Sequence, residues 1–179
     1  MKIEKSILGI TGEYYTAAEL GKRNIYAQLT LGNQKRADLL IFSEGNDKLL
    51  KIEVKCKQGN EWPACKGIYQ KDSFIVFVDF KDSNEIQRPD FYILSEKDWR
   101  ELVIKKEKYY NEKYPNLRTD IIKGVLRTLN QLNKQGKPYL GCGIKTIDIE
   151  SFKESWDKIL NELQRPVLQN MEINNELGK

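Results

Sequence analysis

The stretch RADLLIF–SEGNDK–LLKIEVK, residues 36–55, decides the fold. Residues 36–42 and 49–55 are dominated by branched apolar side chains typical of strands, and the polar segment 43–48 between them is typical of a loop. If the two strands pair as an antiparallel hairpin centred on this loop, Phe42 faces Leu49 and facing position numbers always add up to 91. The stretch therefore predicts two neighbouring strands of one sheet.

Two acids interrupt these apolar strands. In the proposed register Asp38 faces Glu53, and facing residues share one face of a sheet. Like charges in that position are destabilising, so their presence predicts a cation between them. Lys55 lies two residues beyond Glu53 and is therefore expected on the same face.

A third acid comes from the helix predicted over residues 11–23. Glu13 begins its apolar stripe and is expected to point toward the sheet, whereas Glu19 lies about 240° around the helix and is expected to face water. Three carboxylates and one lysine in one place indicate a Mg²⁺ site, because Mg²⁺ takes oxygen ligands and keeps waters that can attack a substrate.

Glu13, Asp38 and the run Glu53-Val54-Lys55 together resemble the signature of the PD-(D/E)XK nuclease superfamily, the restriction-endonuclease-like enzymes that include Holliday-junction resolvases. The order helix, strand, strand with an acid, strand with E-x-K is similar to the core of that superfamily. The resemblance covers about residues 7–95. Ala37 stands where the name-giving proline would be, and the usual helix after the E-x-K strand is replaced by a loop over 58–72.

The resemblance implies a role for each matching residue. Asp38 and Glu53 would ligate Mg²⁺, for which Mn²⁺ can substitute, together with the Val54 carbonyl. Lys55 would orient or activate the attacking water, and Glu13 would assist through a water of the metal. The implied activity is endonucleolytic hydrolysis of phosphodiester bonds, with DNA as the favoured substrate. Because enzymes of this superfamily that cut both strands often dimerise, a homodimer is one expected assembly.

The remaining pattern completes an α/β prediction. The continuously apolar run 73–80 predicts a buried central strand, and 91–94 a short further one. A turn is expected at 31–34, and the segment from Ser95 begins with a capping box. Helices are expected over 119–134 and 149–163. The prediction is thus a restriction-endonuclease-like core over 1–113, with a mixed central sheet flanked by helices, and a helical extension over 114–179 packed on it, within a single compact domain.

Composition excludes several chemistries. The chain has no histidine, which removes Ser-His-Asp and Cys-His catalysis, imidazole zinc sites and histidine-based nucleases. Its three cysteines include no C-x-x-C pair, which argues against a disulfide framework. No apolar run approaches the ~18 residues of a membrane span, so we expect a soluble cytoplasmic protein without a membrane partner. The net charge of +4 permits a polyanionic partner without requiring one.

Contacts to nucleic acid are indicated by basic side chains. Lys57 is expected on the face of Lys55, and on the predicted 119–134 helix the residues Lys123, Arg127 and Lys134 would form a basic stripe suited to phosphates. An ordinary solvated helix face explains this stripe equally well. Candidate base-stacking aromatics are Trp62, Tyr69, Tyr109 and Tyr110, although core or surface packing is the simpler interpretation.

Two other functions fit the same sequence. One is a nucleic-acid-binding module that keeps a nuclease-like fold and has lost catalysis. The other is a protein-interaction domain, such as an immunity or assembly factor, which would use the helical half of the chain as its interface. The four matching residues favour the nuclease, because an inactive site has little reason to keep two facing acids.

Overall fold

The computed structural model of the chain describes residues 2–30, 37–44, 47–83 and 86–164. The turn predicted at 31–34 lies outside the described residues. The elements are α1 (Lys5–Gly21), β1 (Ala27–Leu29), β2 (Leu39–Phe42), β3 (Leu49–Lys57), β4 (Glu61–Cys65), β5 (Ser73–Asp79), β6 (Asp90–Ser95), α2 (Glu96–Lys113), β7 (Thr119–Ile122), β8 (Val125–Leu132), β9 (Pro138–Leu140), β10 (Cys142–Lys145), α3 (Thr146–Ile149), a 3₁₀ turn (Glu150–Phe152) and α4 (Asp157–Gln164).

The central sheet has five strands in the order β1-β2-β3-β5-β6. It is mixed, because β3 and β5 run parallel while the other neighbours are antiparallel. The predicted hairpin register is confirmed from Leu39, which pairs with Ile52, to Phe42, which pairs with Leu49. The capping box at the start of α2 is also confirmed, with Ser95 and Asp98 bonded reciprocally.

Each face of this sheet is covered by its own apolar core. On one face α1 and α4 pack through residues such as Leu20 and Ile159 onto Ile52 and Val76. On the other face α2, β4, β8 and β10 contribute Trp99 among others, packed on alternate residues of β5 and β6. The chain is therefore a mixed α/β protein whose central sheet is flanked by helices. Among the described residues no helix is long and apolar enough to span a membrane.

The helix predicted over 119–134 is wrong. Residues 119–122 and 125–132 form the antiparallel strands β7 and β8, joined at Lys123 and Gly124, which have φ values of 50° and 71°. Two consecutive positive φ values are typical of a type I′ hairpin turn, which cannot continue a helix. The helix predicted over 149–163 is likewise divided, because Glu154 has a φ of 53°. The extension predicted as helical thus contains β7 to β10 before its short helices.

Helix α1 approaches β3 closely at one glycine. A Cβ atom at Gly12 would lie 2.0 Å from the Cys56 Sγ atom and 3.5 Å from a Val54 methyl group. A side chain larger than hydrogen must therefore displace the Cys56 thiol or push the helix away from the strand. We expect Gly12→Ala to lower the free energy of unfolding by about 1–3 kcal/mol, the usual cost of overpacking a core, as measured by denaturant unfolding.

The matched control for this prediction is Gly9→Ala in the same helix. A Cβ atom at Gly9 would contact nothing within 4 Å. Because alanine favours helix over glycine by up to about 1 kcal/mol, this variant should be as stable as the parent or more stable. Equal stability of the two variants would show that the close approach of α1 to β3 does not constrain the fold.

Candidate active site at the beginning of β2 and the middle of β3

Strand β3 presents Glu53 and Lys55 on one face. Their register partners on β5 are Ile75 and Phe77, so both side chains lie on the face opposite to α1. The Lys55 Nζ and Glu53 Oε1 atoms are 2.6 Å apart, and each side chain remains about one third exposed, at 33% and 29%. The pair is thus half-buried and accessible from solvent.

Asp38 is attached to the same segment by its backbone and its side chain. It lies one residue before β2, where its backbone N–H donates to the Ile52 carbonyl at 2.8 Å. Its Oδ2 atom accepts the Val54 N–H at 2.7 Å. These two bonds hold the Asp38 carboxylate beside the run Glu53-Val54-Lys55, close to where the hairpin register predicted it.

Glu13 approaches from α1, directly after the glycine that contacts β3. Burial raises the pKa of its carboxyl group, the negative charge of Asp38 raises it further, and Lys55 acts in the opposite direction. The effect of both charges on this pKa indicates that the Glu13 carboxyl group lies near Asp38 and Lys55. The pKa of Glu13 is therefore higher in the folded protein than in the unfolded chain. As the pH rises through these two pKa values, the free energy of unfolding decreases, because the folded protein holds the proton of Glu13 more tightly. At neutral pH the charged Glu13 carboxylate thus destabilises the fold.

Lys55 keeps its positive charge in this setting. Burial alone would lower the pKa of its ammonium group, but the ion pair and hydrogen bond with Glu53 and the charge of Asp38 raise it above the ordinary value. The site therefore combines a permanently cationic lysine with acids whose charges repel one another.

Two neighbouring residues, Trp62 and Cys56, have roles that were not predicted from the sequence, and the burial of Trp62 excludes the base stacking considered for it. The Trp62 Nε1 atom donates to the Lys55 carbonyl at 2.9 Å and so fixes the backbone of the site, while the ring itself is only 1% exposed. Cys56 lies against Gly12, and burial followed by the charge of Glu13 raises the pKa of its thiol to about 12. Cys56 is therefore neutral at physiological pH, and the linear sequence carries no signal for either role.

The predicted nucleic-acid contacts are not brought together. Lys57 is 3% exposed, ion-paired with its register partner Asp79 and placed over the Trp62 ring, so its ammonium is not presented to a phosphate. The predicted stripe does not exist as a helix face: Lys123 is in the β7–β8 turn, Arg127 is ion-paired with Asp120, and Lys134 lies in the β8–β9 turn.

The donor chemistry of the site suits a hard cation. Carboxylate oxygens are the ligands that Mg²⁺ prefers, and proteins usually hold this ion with one or two carboxylates. Burial, followed by the charge of Asp38, raises the pKa of Glu13, and a bound cation would offset the repulsion between these two carboxylates. Within the described residues, however, no three or more Asp, Glu, Cys or His side chains form a group that could hold a metal ion. Asp38 and Glu53 are instead turned toward the Val54 N–H and Lys55.

Comparison with known proteins adds a structural likeness only. No protein-family model matches the chain, and no curated protein matches it. Among solved structures, the chain is similar to the bacterial homing endonuclease I-Ssp6803I, with 16% sequence identity and a TM-score of 0.44. The similarity covers 89% of this chain and 94% of that one.

Proposed function

We propose that the chain is a metal-dependent endonuclease of the PD-(D/E)XK type that hydrolyses phosphodiester bonds of DNA. The observation that carries the proposal is the 2.7 Å bond from the Val54 N–H to the Asp38 carboxylate. Through this bond Asp38, one residue before β2, lies beside the Glu53-Val54-Lys55 run of β3, where Lys55 contacts Glu53 at 2.6 Å. Two acids and one cation from two adjacent strands thereby meet at one accessible place.

In this proposal Asp38, Glu53 and the Val54 carbonyl hold Mg²⁺ or Mn²⁺. The bound ion supplies Lewis-acid chemistry, lowering the pKa of water and neutralising charge on the phosphate. Binding requires the two carboxylates to turn from their present partners toward the ion. Both partners, the Val54 N–H and Lys55, lie at the site itself, so no rearrangement of the sheet is needed.

Lys55 and Glu13 act on the water and the phosphate. Because the pKa of Lys55 is raised, its ammonium is available to donate hydrogen bonds to an attacking water and to stabilise the extra negative charge of the pentacoordinate phosphorus. Glu13 reaches the site from the helix side, where its carboxylate can orient a water by accepting its hydrogen bond. Its raised pKa makes it a better proton acceptor than an ordinary glutamate.

The β8–β9 hairpin offers an exposed basic surface for contact with duplex DNA. Its turn, residues 133–137, carries the exposed lysines Lys134 and Lys137, and Leu132 beside it is 62% exposed. A two-stranded ribbon fits the major groove of B-DNA. We therefore retain Lys134 as a phosphate contact and assign it to this ribbon. A cytoplasmic homodimer completes the proposal, since two copies are needed to cut both strands at once.

Charge reversal in the hairpin tests this surface. The double variant Lys134→Glu/Lys137→Glu should bind duplex DNA more weakly, because lysines that neutralise phosphates release counterions. The slope of log K against log salt should fall by about 0.9 for each phosphate that is no longer neutralised. The control Lys71→Glu/Lys97→Glu changes the net charge equally at exposed lysines elsewhere. If both variants shift affinity and slope alike, the hairpin is not a DNA-binding surface.

The activity itself is tested by plasmid cleavage. Purified protein is incubated with supercoiled plasmid in Mg²⁺, in Mn²⁺ and in a chelator, beside the variant Asp38→Asn. Cleavage that requires the ion and is abolished in the variant supports the nuclease. Branched DNA is included as a second substrate, because the resemblance extends to junction resolvases. Cleavage of neither substrate by the parent protein in either ion would contradict the proposal.

One observation favours a second candidate, a nucleic-acid-binding or protein-interaction domain that has the fold without the activity. In the described part of the chain no ready-made group of three metal-binding side chains is present, and Lys55 already neutralises Glu53. Calorimetric titration with Mg²⁺ separates the two functions. A nuclease should show binding that Asp38→Asn removes, whereas the inactive domain should show none.

A further inference from the structure

A large cleft lies away from the candidate active site, between the C-terminal part of α2 and the strands β4, β8, β9 and β10. It has a volume of 870 Å³ and includes none of the four acidic and basic residues of that site. We name it the tyrosine cleft, after Tyr110, Tyr114 and Tyr139 in its lining. Its volume is within the ~300–1,000 Å³ typical of pockets for small organic ligands.

The aromatic side chains of the cleft form an open stacking surface. The Tyr110 and Tyr114 rings lie nearly parallel, with centroids 6.4 Å apart and planes inclined by 27°. Tyr114 and Tyr139 are each 46% exposed although both belong to the cleft lining. Exposed tyrosine rings held by a packed neighbour are the kind of surface on which nucleobases stack in single-stranded nucleic acid.

An irregularity in β8 brings amide groups into the same cleft. Thr128 pairs with Tyr139 and Leu132 with Pro138, so residues 129–131 have no counterparts on β9. Such bulges redirect side chains and occur often beside functional sites. Asn130 is used structurally, accepting the Arg118 N–H and donating to the Asn116 carbonyl. Among the described residues the Gln131 amide has no hydrogen-bond partner, which leaves it available for a base edge.

One cation of the cleft, Lys113, lies next to the exposed Tyr114 ring and could meet the phosphate of a stacked base. Its ammonium is 5.5 Å from the centroid of that ring and donates to the Tyr109 hydroxyl at 2.8 Å. Within the described residues no carboxylate forms an ion pair with Lys113. Glu61 is the one acid in the described lining and could accept hydrogen bonds from an exocyclic amino group.

We infer that the tyrosine cleft binds an unpaired nucleobase together with its phosphate, the base stacking on Tyr114 and the phosphate meeting Lys113. This inference rests on the proposed function and names its substrate class more closely: nucleic acid with single-stranded or locally opened nucleotides. A nucleotide would use three features of the cleft: the flat aromatic ring of Tyr114, the Gln131 amide, and the Lys113 ammonium, which has no carboxylate partner among the described residues.

The test uses a short oligothymidylate with one internal 2-aminopurine, a fluorescent base that is quenched when it stacks. Binding is measured in a chelator, so that no cleavage occurs. The parent protein should bind and quench the probe. Tyr114→Ala should weaken binding about fivefold or more, the usual loss for one stacked base, while Tyr114→Phe keeps the ring and should bind like the parent. The control Tyr26→Ala removes a ring that is 79% exposed outside the cleft and should have no effect.

The phosphate contact is tested with Lys113→Ala. The slope of log K against log salt should decrease by about 0.7, the value for one neutralised phosphate of a single strand. Unchanged binding and quenching in Tyr114→Ala would overturn the inference. Equal quenching when the 2-aminopurine is within a fully paired duplex would overturn it too, because the ligand would then not need to be unpaired.

Failure of this inference can be told from failure of the proposed function. Base binding is measured without divalent ions and plasmid cleavage with them. Quenching that disappears in Tyr114→Ala, in a protein that cleaves no plasmid, supports the cleft and contradicts the nuclease. Plasmid cleavage by a protein whose Tyr114→Ala variant still quenches the probe contradicts the cleft alone.

Discussion

Replacing Lys55 with alanine is expected to slow DNA cleavage by two or more orders of magnitude, while Mg²⁺ and DNA bind no more weakly than to the parent protein. The ammonium of Lys55 is kept charged by Glu53 and Asp38 and is partly exposed, so it can reach an attacking water and the phosphate. Its stabilisation of charge is realised mainly in the transition state, which is why the loss should appear in the rate. Such a loss corresponds to about 3 kcal/mol or more of the activation barrier. Single-turnover cleavage rates beside calorimetric Mg²⁺ affinities provide the measurement.

Lys51 supplies the matched control for that variant. It lies on the same face of β3, four residues before Lys55, and its ammonium donates to the Gln70 side chain at 3.1 Å. Lys51→Ala removes one positive charge from the same strand and should cleave like the parent. If Lys55→Ala also cleaves like the parent, this lysine is not catalytic and the similarity to PD-(D/E)XK enzymes is misleading.

The central hairpin could be predicted because a short polar loop, 43–48, separates two apolar strands, and centring the pairing on this loop gives the observed register. In the structure, buried side chains alternate with more exposed ones in 39–42 and 49–52, so a shift of the pairing by one residue would expose the core. The side-chain bond from Asp38 to the Val54 N–H could not be predicted. This bond depends on β2 beginning at Leu39, one residue after Asp38. The exact residue at which a strand begins is determined by the packing around it, which the local sequence does not reveal.

The hairpin at 119–132 could not be predicted because its apolar residues fit the spacing of a helix as well as that of two strands. Ile121, Val125, Leu129 and Leu132 recur at helical spacing, yet the segment also reads as two β-branched runs separated by a Lys-Gly pair. The tertiary structure decides between them. Trp99 of α2 donates to the Gly124 carbonyl at 2.8 Å, and a Cβ at Gly124 would lie 2.5 Å from the Ile68 carbonyl oxygen, so the turn is held between two distant segments.

Burial of charges was the other feature beyond the reach of local patterns. Glu19, predicted to face water from its position on α1, is only 5% exposed. It accepts hydrogen bonds from Arg23 in the next turn and from Arg88, 69 residues further along the chain. Lys57 is also buried, and it forms an ion pair with Asp79, its register partner on the parallel strand β5. In both cases at least one partner of the buried charge, Arg88 for Glu19 and Asp79 for Lys57, lies in another part of the sequence, so a helical wheel or a strand alternation cannot reveal it.

Replacing either acid of the central hairpin should abolish metal binding and cleavage together. Asp38→Asn is the sharper variant, because the asparagine oxygen can still accept the Val54 N–H and so preserve the local structure. The substitution removes the negative charge of Asp38 and with it one anionic ligand, so a hard cation should bind much more weakly. Glu53→Gln should behave alike, since glutamine can still accept a hydrogen bond from Lys55. Mg²⁺ affinity by calorimetry and the rate of plasmid cleavage are measured for each variant.

Asp38→Asn also has a readout that is independent of activity. The charge of Asp38 is one of the causes that raise the pKa of Glu13, so in the variant this pKa should move back toward its ordinary value, as followed by NMR titration. Because the repulsion between Asp38 and Glu13 is then absent, the free energy of unfolding of the metal-free variant should be at least as large as that of the parent at neutral pH. Asp82→Asn, a change of the same charge at an exposed loop position, should alter neither the Glu13 pKa nor Mg²⁺ binding. A shifted Glu13 pKa with undiminished Mg²⁺ affinity would mean that Asp38 is placed as predicted but does not ligate the metal.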